Sequence, residues 1–351
     1  MLQLLPFAIL AVLSRQALAV PVWGQAVVSV GQARCIPGTG GGGGTTTTTT
    51  SSPPANTGTA TYTDYLAVYF KGEFQNGEQI YMSVSNNNNP ASWTAVNNGN
   101  LILQSNVGTK GVRDPSLIRS PDGKKFWIIA TDLNVYASGS YETENGSKGI
   151  VVWESSDLKN WSAPALRIIS PSNAGMTWAP DAIWDPSRSQ YLVFWTCNLK
   201  GQGWYIMKSY TSDFKSFSTA EIFLSGAGMD ATIALDKSTN TFYRISKNGP
   251  NELIEQARAT SLSGTWTVVK NQIGSGTIPK GEGPLIFQNN LDSSKARVEA
   301  TPPSRPPTLL QVTGAHPQAT HFLLNSAMVM LFRLLPRREP ASRPVPARLP
   351  S

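Results

Sequence analysis

The sequence has few histidines and cysteines, and this shortage excludes several kinds of chemistry. Its 351 residues include two His and two Cys. Both histidines, His316 and His321, lie near the C-terminus, so the body of the chain cannot hold a Ser/His/Asp triad or a His-ligated metal. Cys35 and Cys197 provide neither a disulfide framework nor the spacing of a zinc site. We therefore expect no metal or other cofactor, and chemistry that depends on carboxylates, amides, hydroxyls or the backbone.

Long hydrophobic runs are also missing, which argues against a membrane span. The apolar run Leu4–Leu13 has the length of a signal peptide core, and the small-residue pattern Ala17-Leu18-Ala19 that follows it is typical of a cleavage site. A second apolar stretch, Phe322–Leu335, is interrupted by polar residues. We expect residues 1–19 to be removed, the protein to be secreted, and no membrane to be a partner.

The net charge of +7 is concentrated in the C-terminal tail. Residues 296–351 contain seven Arg and two Glu, a net charge of +5, which leaves about +2 for the rest of the chain. A nearly neutral body lacks the basic surface by which proteins bind nucleic acid. No nucleic acid partner is expected.

A low-complexity segment over residues 39–60, rich in Gly, Thr, Ser and Pro, predicts a linker. Within residues 20–38, the fragments Val22-Trp23-Gly24-Gln25 and Cys35-Ile36-Pro37-Gly38 resemble the first and last pieces of a fungal family 1 cellulose-binding module. The middle of such a module is absent. The segment is either a remnant of the module or a disordered N-terminus.

Residues 61–293 predict an all-β domain. Short runs rich in Val, Ile, Tyr, Phe and Trp alternate with turns of Gly, Asn, Asp and Ser. Four similar segments each follow a predicted strand and end in an aromatic residue: Ser85–Trp93, Ser155–Trp161, Thr211–Phe217 and Thr260–Trp266. Their spacing of roughly 50 to 70 residues suits the four-stranded blades of a β-propeller, with a β-sandwich as the alternative.

Each repeat also has a strand that opens with an acidic residue: Asp114, Asp181, Asp230 and Glu282. The first strands of a propeller converge on its axis, so these acids would gather in one funnel. Hydrolysis of an acetal needs one carboxylic acid and one carboxylate, and a third acid can raise the pKa of the proton donor. The alternative is that each acid only stabilises a turn beside Pro or Gly.

Four segments resemble the signature regions of glycoside hydrolase family 43, in that family's order: Arg113–Arg119, Trp178–Asp181, Gly226–Ala231 and Glu282-Gly283-Pro284. The resemblance extends over about residues 65–288. It implies a five-bladed β-propeller and an inverting mechanism. It also implies that Asp114 is the general base, Asp230 the modulator of the acid's pKa, and Glu282 the general acid.

The same resemblance assigns Asp181 to the floor of the substrate pocket. Among the tryptophans that could stack on sugar, only Trp178 is expected to bind substrate. The others are expected to fill the core between blades: Trp153, Trp184, Trp195 and Trp204.

The tail over residues 294–351 departs from the family pattern. It contains ten prolines and no alternating hydrophobic pattern, so we expect it to be disordered and to carry no strands. The fifth blade would then be truncated.

The function indicated is a monomeric glycosidase that acts on plant cell-wall polysaccharide or oligosaccharide, foremost an α-L-arabinofuranosidase. The resemblance equally allows a β-xylosidase, an endo-arabinanase or a galactan- or galactofuranose-directed hydrolase. A non-catalytic carbohydrate-binding propeller, inactive because its closing blade is incomplete, is the alternative of a different class.

Overall fold

The computed structural model describes residues 62–225, 228–248, 253–273, 282–290, 296–301 and 332–334. The predicted signal peptide, cellulose-binding remnant and linker lie outside the described residues. In the described part of the chain, no helix has the length and apolar character that a bilayer crossing requires.

The described chain forms five antiparallel sheets. The first sheet has the order β18-β1-β2-β3 and consists of β1 (Asp64–Tyr69), β2 (Tyr81–Asn86), β3 (Asn89–Ala95) and β18 (Phe332–Leu334). The second sheet consists, in order, of β4 (Val112–Arg119), β5 (Phe126–Asp132), β6 (Gly149–Ser155) and β7 (Ala165–Ile168). The third sheet consists, in order, of β8 (Trp178–Asp185), β9 (Gln190–Leu199), β10 (Gly203–Thr211) and β11 (Glu221–Ser225).

The fourth sheet consists, in order, of β12 (Met229–Asp236), β13 (Thr241–Asn248), β14 (Leu253–Ala259) and β15 (Thr267–Ile273). The fifth sheet pairs β16 (Glu282–Gln288) with β17 (Ala296–Thr301). Two short helices complete the described structure, a 3₁₀ turn at Val96–Gly99 and α1 (Val135–Ser138).

The sheets radiate from an axis, which makes the domain an all-β propeller with four four-stranded blades. Consecutive first strands contact one another, from β4 to β8, β12 and β16. Burial falls from the second strands to the outermost strands: every residue of β5 is buried, whereas six of the seven residues of β15 are exposed. A strand covered on both faces, such as β5, is a nearly continuous apolar run.

The cores lie between adjacent blades. Trp153 belongs to the cluster between the first and second sheets, and Trp195 to the cluster between the second and third. Each side chain is 1% exposed, as expected for tryptophans that fill the core.

The four repeated segments confirm the predicted blade period, since each begins within one residue of the end of the third strand of a four-stranded sheet. Two of them form the same turn. The Asp157 carboxylate accepts hydrogen bonds from the amides of Lys159 and Asn160, and Asp213 does the same for Lys215 and Ser216. Such aspartate turns are local motifs that sequence alone can specify.

The tail differs from expectation in one respect, because β17 and β18 lie within residues 294–351. The expectation that this segment carries no strands is wrong there. Residues 296–301 contain no proline, so they can pair with the open edge of β16. Residues 302–331 and 335–351 lie outside the described residues, and the predicted disorder stays a prediction.

Candidate functional site

Four first strands carry the same β-bulge at their start. In β4, β8, β12 and β16, the pairing register shifts around one residue with a positive φ: Asp114 (45°), Ala179 (47°), Asp230 (53°) and Gly283 (50°). A bulge re-aims side chains at the end of a strand. The shared geometry makes these four residues structurally equivalent around the axis.

The four acids predicted at strand openings therefore do not share one position. Asp114 and Asp230 occupy the bulge itself, Glu282 precedes its bulge by one residue, and Asp181 follows its bulge by two. The backbone of Glu282 pairs with Thr301, and its side chain lies outside what the structure describes. The four acids therefore occupy three different backbone positions relative to the bulge.

Hydrogen bonds connect the bulges of neighbouring blades. The amide of Ala179 donates to the hydroxyl of Thr131 (2.7 Å), which donates to the Asp114 carboxylate (3.1 Å). The amide of Asp230 donates to the hydroxyl of Thr196 (3.0 Å). The next contact is between the amide of Gly283 and the Asp230 carboxylate, at 3.3 Å. The strand ends that carry Asp114, Asp230 and Glu282 thus meet at one end of the axis.

Arg113 places a cation beside Asp114 and is itself held by two acids that the sequence did not single out. Its guanidinium donates to Glu73 (2.9 Å) and Glu78 (2.8 Å). Burial acts to lower the pKa of Arg113, but Asp114, Glu78 and Glu73 outweigh it and the pKa lies above its ordinary value.

Glu78 is buried, and it also joins the first and second blades. Its carboxylate accepts from the amides of Val135 (3.1 Å) and Tyr136 (2.9 Å) at the start of α1. A single acidic residue in a loop offers no sequence signal for such a role, because its three partners lie 35 or more positions away.

Asp181 lies under the layer of bulges and is 3% exposed. Its carboxylate accepts from the hydroxyl of Ser116 on β4 (2.6 Å) and from the amide of Ala182 (2.6 Å), and it also interacts with Thr232 on β12. Burial raises the pKa of Asp181 to about 7. The structure thus gives Asp181 contacts that join three first strands, and its expected place on the pocket floor stays a prediction.

The tryptophans divide into two groups. Trp184 packs on Tyr191 beside the core, as expected, and Trp178 is half-buried beside the bulge at Ala179. Trp204, however, is 40% exposed, so the expectation that it fills the core is wrong. It projects from the start of β10, where the turn from β9 ends at the same end of the sheet as Trp178.

Tyr141 is a further exposed aromatic residue that sequence reasoning missed. It lies in the loop between α1 and β6, is 49% exposed, and contacts the ring of Trp178. Within the described part of the chain, no group of three or more His, Cys, Asp or Glu side chains is placed to hold a metal ion.

Comparison with known proteins yields relatives of both kinds, by sequence and by structure. A glycosyl hydrolase 43-related family, described as "Probable glycosyl hydrolase domain", matches residues 60–298, which is more than half of the chain. An α-L-arabinofuranosidase of Bifidobacterium longum subsp. longum is 31% identical over 215 residues. The match covers 55% of this chain and 20% of that relative, so the chain spans about a fifth of the relative's length.

Solved structures with a similar fold include an endo-1,4-β-xylanase from Bacteroides thetaiotaomicron, with a TM-score of 0.49 and 15% identity over 78% of this chain and 94% of that one. An exo-β-1,3-galactanase from Phanerochaete chrysosporium has a TM-score of 0.44 and 16% identity, over 64% of this chain and 51% of that one.

Proposed function

The chain belongs to the glycosyl hydrolase 43-related family, and from this premise we propose that it is a secreted, inverting α-L-arabinofuranosidase of plant cell-wall polysaccharide. The observation that carries the proposal is the chain of hydrogen bonds that brings the strand ends of Asp114, Asp230 and Glu282 to one end of the axis. Asp114 and Asp230 occupy equivalent bulges there.

In the proposed reaction, Glu282 protonates the glycosidic oxygen as the sugar departs. Asp114 removes a proton from a water molecule that attacks the anomeric carbon from the opposite face, so the configuration inverts. An inverting pair needs space for this water, with carboxyl groups about 6.5 to 9.5 Å apart. Asp230 keeps a negative charge next to the backbone of Gly283, which favours the protonated form of the neighbouring Glu282.

The choice of sugar is supported by the 31% identity to an α-L-arabinofuranosidase over 215 residues.

We also propose that residues 1–19 act as a signal peptide, that residues 39–60 link a cellulose-binding remnant to the propeller, and that the protein acts as a monomer. The two-stranded fifth sheet is, in this proposal, a truncated fifth blade.

The test is hydrolysis by the purified full chain of three aryl glycosides: α-L-arabinofuranoside, β-D-xyloside and β-D-galactofuranoside. We expect release from the arabinofuranoside, with loss of activity in Asp114→Asn. Asparagine is the right replacement because, like aspartate, it adopts the left-handed backbone conformation of the bulge.

Preference for the xyloside or the galactofuranoside would be consistent with the proposed mechanism but would contradict the proposed sugar specificity. A folded chain that binds polysaccharide but hydrolyses none of the three would favour the non-catalytic propeller.

A further inference from the structure

Exposed aromatic rings are concentrated at one end of the described structure. Four aromatic side chains are more than a third exposed: Phe74, Tyr136, Tyr141 and Trp204. All four lie in segments at the end that carries the bulges. The loop of Phe74 includes Glu73, which bonds Arg113; Tyr136 bonds Glu78; and Tyr141 and Trp204 both contact Trp178.

The exposed aliphatic side chains are elsewhere. Ile168, Ile222, Val268 and Val269 lie on β7, β11 and β15, the outermost strands of their blades. Aromatic rings exposed together mark a surface that binds something, because a contiguous apolar patch exposed to water has a free-energy cost. The exposed aromatic and exposed aliphatic side chains thus lie on different parts of the surface. This distribution points to a ligand that is recognised by flat aromatic rings.

Two of these rings, Tyr141 and Trp204, form a continuous surface with the half-buried ring of Trp178, and we name this surface the aromatic ledge. Trp178 is in the middle, with ring centroids 6.3 Å from Tyr141 and 5.9 Å from Trp204. Both neighbours are tilted by more than 60° from its plane. The ledge extends across two blades, since Tyr141 comes from the loop before β6 of the second sheet and the two tryptophans come from strands of the third.

The ledge is held in position before any ligand arrives. The Tyr141 hydroxyl donates to Glu73, and the Arg113 guanidinium lies 5.3 Å from the centre of the Tyr141 ring. The loop of Tyr141 is fastened to the third sheet through Asn198, whose side-chain amide donates to Glu144 at 2.7 Å. Rings that are fixed in advance lose little conformational entropy on binding.

The middle ring of the ledge, Trp178, adjoins the layer of acids. Trp178 immediately precedes Ala179, whose amide is bonded to the Thr131 hydroxyl that in turn bonds Asp114. In the shared bulge register, Trp178 occupies the position that Glu282 has on β16 and Arg113 on β4. From Trp178, the ledge runs away from the axis toward the exposed ring of Trp204.

We propose that the aromatic ledge binds the polysaccharide on the leaving-group side of the scissile bond, so that the protein selects polymeric over small substrates. The proposal rests on the proposed function, because it takes the acids as the point of cleavage. The sugar that is released lies at the axis, and the chain that carried it must leave along the surface. Sugar rings have apolar faces that stack on aromatic side chains, and the ledge offers three rings in succession.

Trp204→Ala provides the test, with Ile222→Ala as the matched control. Both residues lie on the third sheet and are similarly exposed, at 40% and 44%, but Ile222 is on the outermost strand. Rates are measured as kcat/KM on an arabinoxylan oligosaccharide and on an aryl α-L-arabinofuranoside. Trp204→Ala should lower the ratio of the first rate to the second about tenfold, the effect of losing one stacked ring. Ile222→Ala should leave the ratio unchanged.

Binding is measured separately, so that failure of the ledge and failure of the proposed function can be distinguished. In the Asp114→Asn background, affinity electrophoresis in gels containing arabinoxylan or branched arabinan should show weaker retention with Trp204→Ala than without it. Gels containing dextran should retain neither. Weaker retention without hydrolysis of any substrate would support the ledge and overturn the proposed function. Equal retention with and without Trp204→Ala, together with an unchanged rate ratio, would contradict the proposed role of the ledge. Failure of both polysaccharides to retain the Asp114→Asn parent would contradict it as well.

Discussion

Asp114 and Asp230 share a backbone conformation that most side chains adopt only at a cost. Their φ values of 45° and 53° lie in the left-handed region, which favours Gly and then Asn and Asp. Strained backbone of this kind concentrates where a protein positions functional groups. Variants that probe the chemistry should therefore preserve the conformation, and Asn does so better than Ala.

The general acid and the general base can be separated by the leaving group of the substrate. Glu282→Gln should lose about 100-fold or more in kcat on a natural oligosaccharide, whose departing oxygen needs a proton, and much less on a nitrophenyl glycoside. Asp114→Asn removes the group that we propose activates water, so it should lose activity on both substrates. Steady-state rates on the two substrates check this expectation.

The opposite pattern would refute the two roles. If Asp114→Asn were active on the nitrophenyl glycoside and Glu282→Gln were equally impaired on both, the assignment would be reversed. Thermal unfolding of each variant controls for loss of fold.

Asp181 should make the stability of the protein fall as pH rises. Burial raises its folded-state pKa to about 7, above the ordinary value of 3.8, so the folded state retains a proton that the unfolded chain releases. The stabilisation is full below pH 3.8 and is lost between there and pH 7. Asp181→Asn removes this dependence. Its advantage over wild type in unfolding free energy should grow over this range by about 4 kcal/mol at most, as measured by denaturant unfolding.

Asp213→Asn is the matched control, because the sign of its effect is opposite. The amides of Ser216 and Lys215 help to lower the pKa of the Asp213 carboxyl, so its contribution to stability is lost as pH falls. If the difference between wild type and Asp181→Asn were the same at pH 4 and pH 8, Asp181 would not titrate as described.

At the scale of the strand, the bulges depend on hydroxyl groups from the second strands. The hydroxyls of Thr131 on β5 and Thr196 on β9 each accept a hydrogen bond from the amide of a bulge residue in the next blade. Valine has nearly the same shape but cannot accept a hydrogen bond, so either substitution removes a hydrogen bond from the layer that holds the acids.

Thr131→Val and Thr196→Val should each lower the free energy of unfolding by about 1 to 3 kcal/mol. The effect of Thr131→Val should be the larger, since it also removes the hydrogen bond to Asp114. Urea unfolding of the two variants provides the comparison. Two stable variants would show that water replaces the hydroxyls and that the bulges hold without them.

At the scale of the whole molecule, the first and fifth sheets determine whether the ring is complete. In the first sheet, β18 takes the position that β4, β8 and β12 take in theirs, through pairs such as Tyr65 with Arg333. The C-terminal segment thus supplies a strand to the N-terminal blade. An uncovered strand edge at this position would be a site for aggregation.

A chain that ends after Thr301 keeps β17 and loses β18, and we expect it to be less stable than the full chain. Each kcal/mol lost should lower Tm by roughly 2 to 4 °C in a domain of this size. A chain that ends after residue 340 keeps β18 and serves as the control. Scanning calorimetry should rank the first below the other two; three equal Tm values would show that β18 contributes nothing to closure.

The sequence by itself determined the fold class, the blade period and the candidate acids. These features are local: turn motifs such as that of Asp157, strands with continuous apolar runs, and acids at strand openings can be read from neighbouring residues. The absence of histidine from the body led just as directly to the expectation of chemistry by carboxylates, amides, hydroxyls or the backbone. The family resemblance added the roles that we propose for Asp114, Asp230 and Glu282.

Only the tertiary structure decided how these residues are arranged relative to one another in space. The offset of Glu282 from the bulge, the burial of Asp181 between Ser116 and Thr232, and the exposure of Trp204 all depend on partners in other blades. Ser116 and Asp181 are 65 positions apart, and local pattern carries no information about a contact over that separation. The physical reason is that a propeller forms its site from the ends of strands in different blades, and their mutual register is fixed by packing between blades.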